Sequence, residues 1–557
     1  MKRILAFILC LVLCLPLFVS KNDKVRANGN IVSIADDTKF GKPNFSGITT
    51  TSASEVEGVI QKVFNYYTQN YFTYSWNWTD ATFQAGVVEA FKATGNMDYY
   101  DHAYAYGESY SWESNYGNLD VYHGTCLDDI ASTMVYCMLH ELSPADYKLE
   151  GVIKQMDWLM IHGLLDYSWV DEIFMVGLTH SYLSKVTGDS KYSQNELSSY
   201  MFFRDEFYDT NECLWYRDAK YIYGVNNPLA STEYDKKVFW GRGNAWVYVS
   251  LAQRLEYMDK NDPAYQVLLH DFISLSHGLT LVQREDGMWN PNLGDPNYCS
   301  GKEMTGSGGF LYGMCQGIRL GILDPIKYIP VVTKAYNTMV NTCITEEGLA
   351  GYCQPVGWNP GGYTGEDDMK TSTNSFGVGL VLMGLSQYMR ICSDFQGATT
   401  SVEVKEFDAS KAYLTPDKNW YKGLMTASTT ASCESGNGVQ NLINGNFRRD
   451  SVGARFTAYG LKTTPVTVII DLYEKIDLKG VAFGPYSNRA YKMILEAEVD
   501  GTWVKVLDLT QTRYKESYLH KFSFESVKTQ KIRLIASGCW TENTDYFSMR
   551  EMLIYAN

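Results

Sequence analysis

From about residue 50 to residue 395 the hydrophobic positions fall into long runs separated by short polar phrases. The runs ATFQAGVVEAF, DIASTMVYCML, EIFMVGLTHSYL, NAWVYVSLAQRL, GGFLYGMCQGI and GVGLVLMGLSQYM are apolar nearly all round. That is the pattern of helices buried on every side. A turn phrase follows each of the first five: ATGNMDYY, LSPADYKL, VTGDSKYS, KNDPAYQV and LDPIKYIP. Each is a cluster of Gly, Pro, Asp or Asn ending in Tyr99, Tyr147, Tyr192, Tyr265 or Tyr328. The repetition predicts six helical hairpins, with the phrase joining an inner helix to a more amphipathic outer one. Six buried helices with six partners predict a closed all-α (α/α)6 barrel over residues 45–395; an open helical solenoid is the competing arrangement.

Near residue 396 the pattern changes. Residues 396–422 read as a linker. From 423 to 557 the period is two, in VTVIIDL, GVAF, MILEAEV, TWVKVLDL, KFSFESV and KIRLIA. This predicts an all-β sandwich of the jelly-roll, galactose-binding-like kind. At the other end, MKRILAFILCLVLCLPLFVS sets Lys2 and Arg3 before an apolar run interrupted by Pro16. It reads as a bacterial-type signal peptide over 1–27, cleaved after Ala27, or after Ser20 as the alternative. A secreted protein is expected. No later segment is long and apolar enough to span a membrane. Two of the twelve cysteines lie in the signal; of the others, Cys343 and Cys353 flank a turn-like stretch and are a candidate disulfide. The formal net charge of -15 argues against nucleic acid as a partner but leaves an anionic small substrate open. The 42 Tyr and 13 Trp suit a protein that handles sugars, and equally an aromatic-rich core.

The segments before the inner helices are YSWNWTDA, VYHGTCLDD, LDYSWVDE, FWGRGNA, EMTGSG and DMKTSTNS. In a barrel they ring one mouth, and their polar and aromatic groups converge. Trp78, His123 and Trp169 stand in them as candidate substrate contacts. The pair Asp171 and Glu172 offsets the helix dipole, or one of the two moves protons. Asp128 and Asp129 pose the same choice one inner helix earlier, and two carboxylates across one mouth suit acid/base chemistry on a glycosidic bond. FWGRGNAW offers Trp240 and Trp246 as stacking faces, Arg242 as a planar fork for a carboxylate, and Asn244 as a helix cap. Arg217 and Asp218 form a surface salt bridge or part of the site. His162 is structural or catalytic, and Glu303 faces the mouth or caps its helix.

SWVDEIFM, LWYRD, FWGRGNAW, VQREDGMW and EMTGSGGFLYG, in this order over about residues 55 to 392, resemble glycoside hydrolase family 105, the unsaturated rhamnogalacturonyl hydrolases. The resemblance implies an (α/α)6 barrel and no cofactor for catalysis. It implies that an Asp protonates the vinyl ether of a 4,5-unsaturated uronic acid left by a polysaccharide lyase and delivers water across the double bond. The hydrated sugar then opens and releases its neighbour. The matching acid is Asp171, and Asp128 matches the second acidic position; as a nearby carboxylate, Asp128 would favour the protonated form of Asp171 by like-charge repulsion. Trp240, Arg242, Asn244 and Trp246 match the substrate-binding motif, with Ala245 where the family usually has Gly. The usual His-Lys pair before the catalytic Asp is missing from LMIHGLLDYSW, and Arg217 is the candidate replacement for holding the substrate carboxylate.

The C-terminal segments NLINGNF, VIIDL, DGTWVKV, IRLIA and SMREMLIY resemble discoidin or coagulation-factor type C domains, close to family 32 carbohydrate-binding modules. That implies a structural calcium near Asn444, Asn446 and Glu551, and attachment to plant cell-wall or other polysaccharide. The expected function is removal of an unsaturated galacturonyl residue from rhamnogalacturonan lyase products in pectin degradation. The rivals are an unsaturated glucuronyl hydrolase acting on glycosaminoglycan or ulvan fragments, and a non-catalytic carbohydrate-binding protein.

Overall fold

The computed structural model of the chain describes residues 30–33, 51–114 apart from 73, 74 and 76, 127–162, 169–402, 404, 425–443, 455–514, and 520–556 apart from 542. The helices run α1 (Ala53–Asn70), α2 (Trp78–Thr94), α3 (Met97–Ser109), α4 (Leu127–Ile130), α5 (Ser132–Leu142), α6 (Tyr147–His162) and α7 (Asp171–Thr187). They continue with α8 (Lys191–Phe207), α9 (Gly241–Tyr257), α10 (Pro263–Leu281), α11 (Met304–Arg319), α12 (Pro325–Thr338), α13 (Glu366–Met369) and α14 (Ser375–Arg390).

The apolar runs are α2, α5, α7, α9, α11 and α14, and their side chains are buried almost throughout. Helix α2 packs on α14, α14 on α11, α11 on α9, α9 on α7, α7 on α5, and α5 back on α2. The ring closes, which decides for the barrel over the solenoid. Helices α3, α6, α8, α10 and α12 each return beside the inner helix before them, and α1 backs α14. The sixth pair is therefore made from the two ends of the barrel domain, not from one hairpin. Because the outer helices return, the inner helices share a direction and their N-termini gather at one mouth.

The turn phrases work as caps. Gly95 and Gly188 end α2 and α7 in the left-handed conformation, with φ of 72° and 71°, which glycine adopts without a Cβ clash. Asp262 and Asp324 accept hydrogen bonds from Ala264 and Ile326, with Pro263 and Pro325 at the first helical position. Inside the ring, a Cβ on Gly86 would lie 2.3 Å from the Gly379 carbonyl oxygen, so α2 and α14 approach backbone to backbone.

Strand β1 (Asn30–Ser33) pairs antiparallel with β4 (Thr399–Val402), so the expected linker begins with a strand. Strands β2 (Tyr208–Asp209) and β3 (Leu214–Trp215) form a small hairpin. The C-terminal strands are β5 (Thr426–Thr429), β6 (Phe456–Tyr459), β7 (Val466–Pro485), β8 (Tyr491–Val499), β9 (Thr502–Asp508), β10 (His520–Cys539) and β11 (Tyr546–Ala556). They build an antiparallel sheet domain of order β6-β11-β7-β10-β8-β9, with β5 on β7. VTVIIDL and GVAF, expected as two strands, are one strand, β7; KFSFESV and KIRLIA are likewise one, β10. The pairing of β7 with β10 slips register where turns were expected, between Ser523 and Val527 and between Thr529 and Lys531, as a bulge lets a bent strand continue. Cys343 and Cys353 are buried and unbonded, which corrects the expected disulfide.

Candidate active site

Two acids open adjoining elements at the mouth. Asp171 begins α7, and Asp128 lies in α4, which packs on both α7 and α2. The chain at 217–218 is stitched to the start of α7. Val170 N–H donates to the Arg217 carbonyl at 3.0 Å, and Trp169 pairs with Asp218 in an antiparallel bridge. This register sets Arg217 against Asp171. Arg217 Nε donates to Asp171 Oδ2 at 3.3 Å and Nη1 to Asp218 Oδ2 at 2.8 Å, while the guanidinium lies 4.5 Å from the Trp169 ring centre. Nη2 takes no protein partner among the described residues. Burial disfavours the Arg217 charge, but Asp171 and Asp218 outweigh it and hold the group above its ordinary range. The Asp171 and Arg217 side chains are 16% and 12% exposed, enough to meet a ligand from the mouth. The group touching Asp171 is thus positive, while Asp128, the negative neighbour expected from the sequence, lies on the adjoining α4.

FWGRGNAW is turned inward. Trp240 is buried and its Nε1 donates to Gln354 Oε1 at 2.9 Å. Trp246 is buried too, stacked on Phe174 at 4.7 Å and edge-on to Trp78 at 6.0 Å. Neither offers the stacking face expected of it. Arg242, also buried, sits between the Trp240 and Phe376 rings at 4.5 and 4.8 Å. Its Nη1 donates to the Gln354 carbonyl at 3.0 Å, and Nη2 to the carbonyls of Pro355 and Gly357, each at 3.1 Å. Burial lowers its pKa to about 10. The fork expected to meet a carboxylate instead holds the 354–357 loop. Asn244 neither caps a helix nor reaches the mouth: fully buried, it accepts from Trp215 N–H at 2.8 Å and donates to the Trp215 and Trp240 carbonyls at 3.0 Å. It clamps β3 to α9 and so positions Arg217, two residues further on. Trp78 is partly buried against Phe376 at 4.8 Å, and Trp169 is the half-open face beneath Arg217.

Gln354 ties three inner-helix starts together. Besides Trp240 at α9, its backbone N–H donates to Glu303 Oε1 at α11 (3.2 Å), and its carbonyl accepts from Asn374 Nδ2 at α14 (3.1 Å). Glu303 caps α11 through the Thr305 and Gly306 N–H groups at 2.8 and 2.7 Å, so it is a cap and not an acid of the mouth. Asp80, in the first turn of α2, is buried, and that burial pushes its pKa up to about 7 against a 2.6 Å hydrogen bond from Ser75 N–H. His123, Asn444 and Asn446 lie outside the described residues, as does the His162 side chain. Glu551 is fully buried on β11, which packs on the turn Val439–Ile443 just ahead of Asn444. A buried carboxylate is an oxygen donor of the kind calcium takes.

The family model described as Glycosyl Hydrolase Family 88 matches residues 53–392, the whole of the barrel ring. The chain belongs to glycosyl hydrolase family 88. An unsaturated 3S-rhamnoglycuronyl hydrolase of Formosa agariphila is 28% identical over 333 residues, 57% of this chain and 85% of that protein. The unsaturated rhamnogalacturonyl hydrolase YesR of Bacillus subtilis is 22% identical over 264 residues, 44% of this chain and 70% of that protein. The structure of a glycosyl hydrolase family 88 protein from Bacteroides vulgatus aligns with TM-score 0.56 and 26% identity, over 61% of this chain and all of that one (100%).

In this family 88 barrel the structure brings Asp171, Arg217, Asp218 and Trp169 into contact and sets the element of Asp128 beside them. Trp240, Arg242, Asn244 and Trp246 form the wall behind. Sequence reasoning missed Gln354 and Asp80. Gln354 stands in GYCQPVGW, a stretch with no motif around it. Asp80 was visible as an acid in the first turn of an inner helix, as Asp171 is.

Proposed function

We propose that this family 88 hydrolase removes the terminal 4,5-unsaturated uronyl residue from rhamnose-containing oligosaccharides made by polysaccharide lyases. The observation that carries this is the Asp171–Arg217 pair at the mouth, with Arg217 Nη2 unpartnered among the described residues. The two curated relatives carry names that share a uronyl group and rhamnose. Elimination by a lyase destroys the stereocentre at C4, so galacturonate and glucuronate leave the same unsaturated residue. The acid pocket cannot tell their sources apart.

The substrate carboxylate docks on Arg217 Nη2, a charge-assisted bond. It adds a negative charge beside Asp171, which favours the protonated acid. Asp171 gives its proton to C4 and takes one from the water that adds at C5. The resulting hemiketal opens to a C5 ketone. This leaves a hemiacetal at C1, which expels the neighbouring sugar as an alcohol and becomes an aldehyde. Asp128, on the adjoining element, is the second acid of the site.

Beyond the barrel, residues 1–27 direct secretion, and the C-terminal sheet domain binds cell-wall or related polysaccharide as a discoidin-like module. Glu551 with Asn444 and Asn446 would hold a structural calcium there, ordering the loop without entering the chemistry; a chelator then lowers the melting temperature of that domain and leaves turnover unchanged. The catalytic proposal is tested on matched oligosaccharides with and without the C4–C5 double bond. Cleavage of the unsaturated member alone supports hydration. Equal cleavage of both means attack at the anomeric carbon and overturns it.

A further inference from the structure

The unsaturated residue carries no memory of its parent sugar, so substrate choice has to be made against the next sugar along. The rim of the mouth holds an apolar surface suited to that task. Trp358 is 63% exposed and Val356 66% exposed. The backbone carrying them is held firmly. Arg242 binds the carbonyls of Pro355 and Gly357, and the Gln354 side chain donates to the Asn359 and Pro360 carbonyls at 2.8 and 3.2 Å. The residues flanking Trp358 both touch the site: Gly357 through Arg242, and Asn359 beside the hydroxyl of Tyr221, whose own neighbours are Asp218 and Arg217. The segment 220–237, which begins beside Tyr221, exposes further apolar groups. Among the described residues, six of the seventeen large exposed hydrophobic side chains fall in these two segments.

We infer that Trp358, with Val356, is the platform for the sugar next to the unsaturated uronate, and that it selects a 6-deoxy sugar such as rhamnose. This rests on the hydrolase function proposed above. The face of a pyranose is lined by C–H groups that pack on an indole ring. A 6-deoxy sugar replaces a hydroxymethyl group by a methyl, which gains by lying on Val356 where a hydroxyl would lose water. A pinned loop pays little ordering entropy when the sugar docks.

The test measures KM and kcat of wild type, Trp358→Ala and Trp358→Phe on two unsaturated disaccharides, one with rhamnose and one with a hexosamine beside the uronate. Trp358→Ala is expected to raise KM for the rhamnose substrate about 3- to 10-fold, with kcat little changed. It should also shrink the preference for rhamnose, and Trp358→Phe should restore most of both. Because the side chain is exposed and its loop is held through main-chain bonds, a folding defect would appear in kcat and melting temperature instead. Unchanged KM and preference in an active Trp358→Ala enzyme overturn the platform alone. A wild type inactive on both disaccharides overturns the hydrolase proposal and the platform with it.

Discussion

The two ends of the barrel use the same kinds of residue to opposite effect. At the C-terminal ends of the inner helices, charges close on one another. Lys92 on α2 meets Glu89 at 3.5 Å, Glu141 of α5 at 3.2 Å and the Tyr257 hydroxyl of α9 at 3.0 Å. Arg319 on α11 meets Glu256 at 2.8 Å and Gln387 of α14 at 3.1 Å, and Gln387 returns to Glu89 at 2.8 Å. Opposite charges outweigh burial there: they hold Lys92 above its ordinary range and bring Glu256 down to about 2. This floor satisfies itself. At the N-terminal ends, the Asp171–Arg217–Asp218 chain leaves one guanidinium nitrogen over. The difference teaches that a buried acid–base pair is not a site by itself; an unspent donor facing an opening is what admits a ligand.

The sharpest way to break the comparison is to unbalance the floor. Lys92→Met leaves Glu89 and Glu141 facing each other, and is expected to cost about 3–5 kcal/mol in denaturant unfolding while KM holds. A cost below about 1 kcal/mol, or an altered KM, would mean that the two ends are not separate in role. At the mouth the signature reverses. Arg217→Lys keeps a charge but loses the planar fork, so KM should rise about tenfold, more than kcat falls, with stability nearly intact. Equal loss in both would make Arg217 part of the chemical step.

Asp80 gives a smaller, pH-dependent contrast. Its carboxyl titrates near pH 7 in the fold, against an ordinary value of 3.8. Between those values the folded protein holds a proton that the unfolded chain releases. Stability therefore falls as pH rises across the window, by up to about 1.4 kcal/mol per unit, and is fully retained below it. Asp80→Asn should flatten that slope; parallel stability curves from pH 4 to 8 would contradict the assignment. Smallest of all, Ala245→Gly should barely change KM. A Cβ on Gly309 would come within 2.8 Å of the Ala245 methyl, which places that methyl against α11 and not in the mouth.

How far the sequence could be read follows from what each signal depends on. The hairpins were legible because apolar runs and Gly or Asp-Pro caps are local. Closure of the barrel followed from the count of six buried runs, but the sixth pair was not legible, since α1 and α14 come from opposite ends of the domain. VTVIIDL and GVAF looked like two strands because YEKID resembles a turn, and nothing local announces a register slip. Asp171 was legible as a candidate from its motif. Its partner Arg217 lies 46 residues away, and the pairing depends on a bridge between segments that alternate no pattern. FWGRGNAW was read for the chemistry of its residue types. Only packing reveals that both Trp rings and the Arg fork are turned into the protein, and that an unremarkable Gln354 holds the mouth together.

In the proposed mechanism Asp171 protonates a carbon–carbon double bond. The most direct measurement follows the ultraviolet absorbance of the conjugated uronate in lyase digests of rhamnogalacturonan, ulvan and a heparinoid, with wild type and Asp171→Asn side by side. Absorbance is expected to fall with a rhamnose-containing digest, about 10²- to 10⁴-fold more slowly in a mutant of unchanged melting temperature. A folded wild type that leaves every digest unchanged, or an Asp171→Asn protein as fast as wild type, would contradict the mechanism.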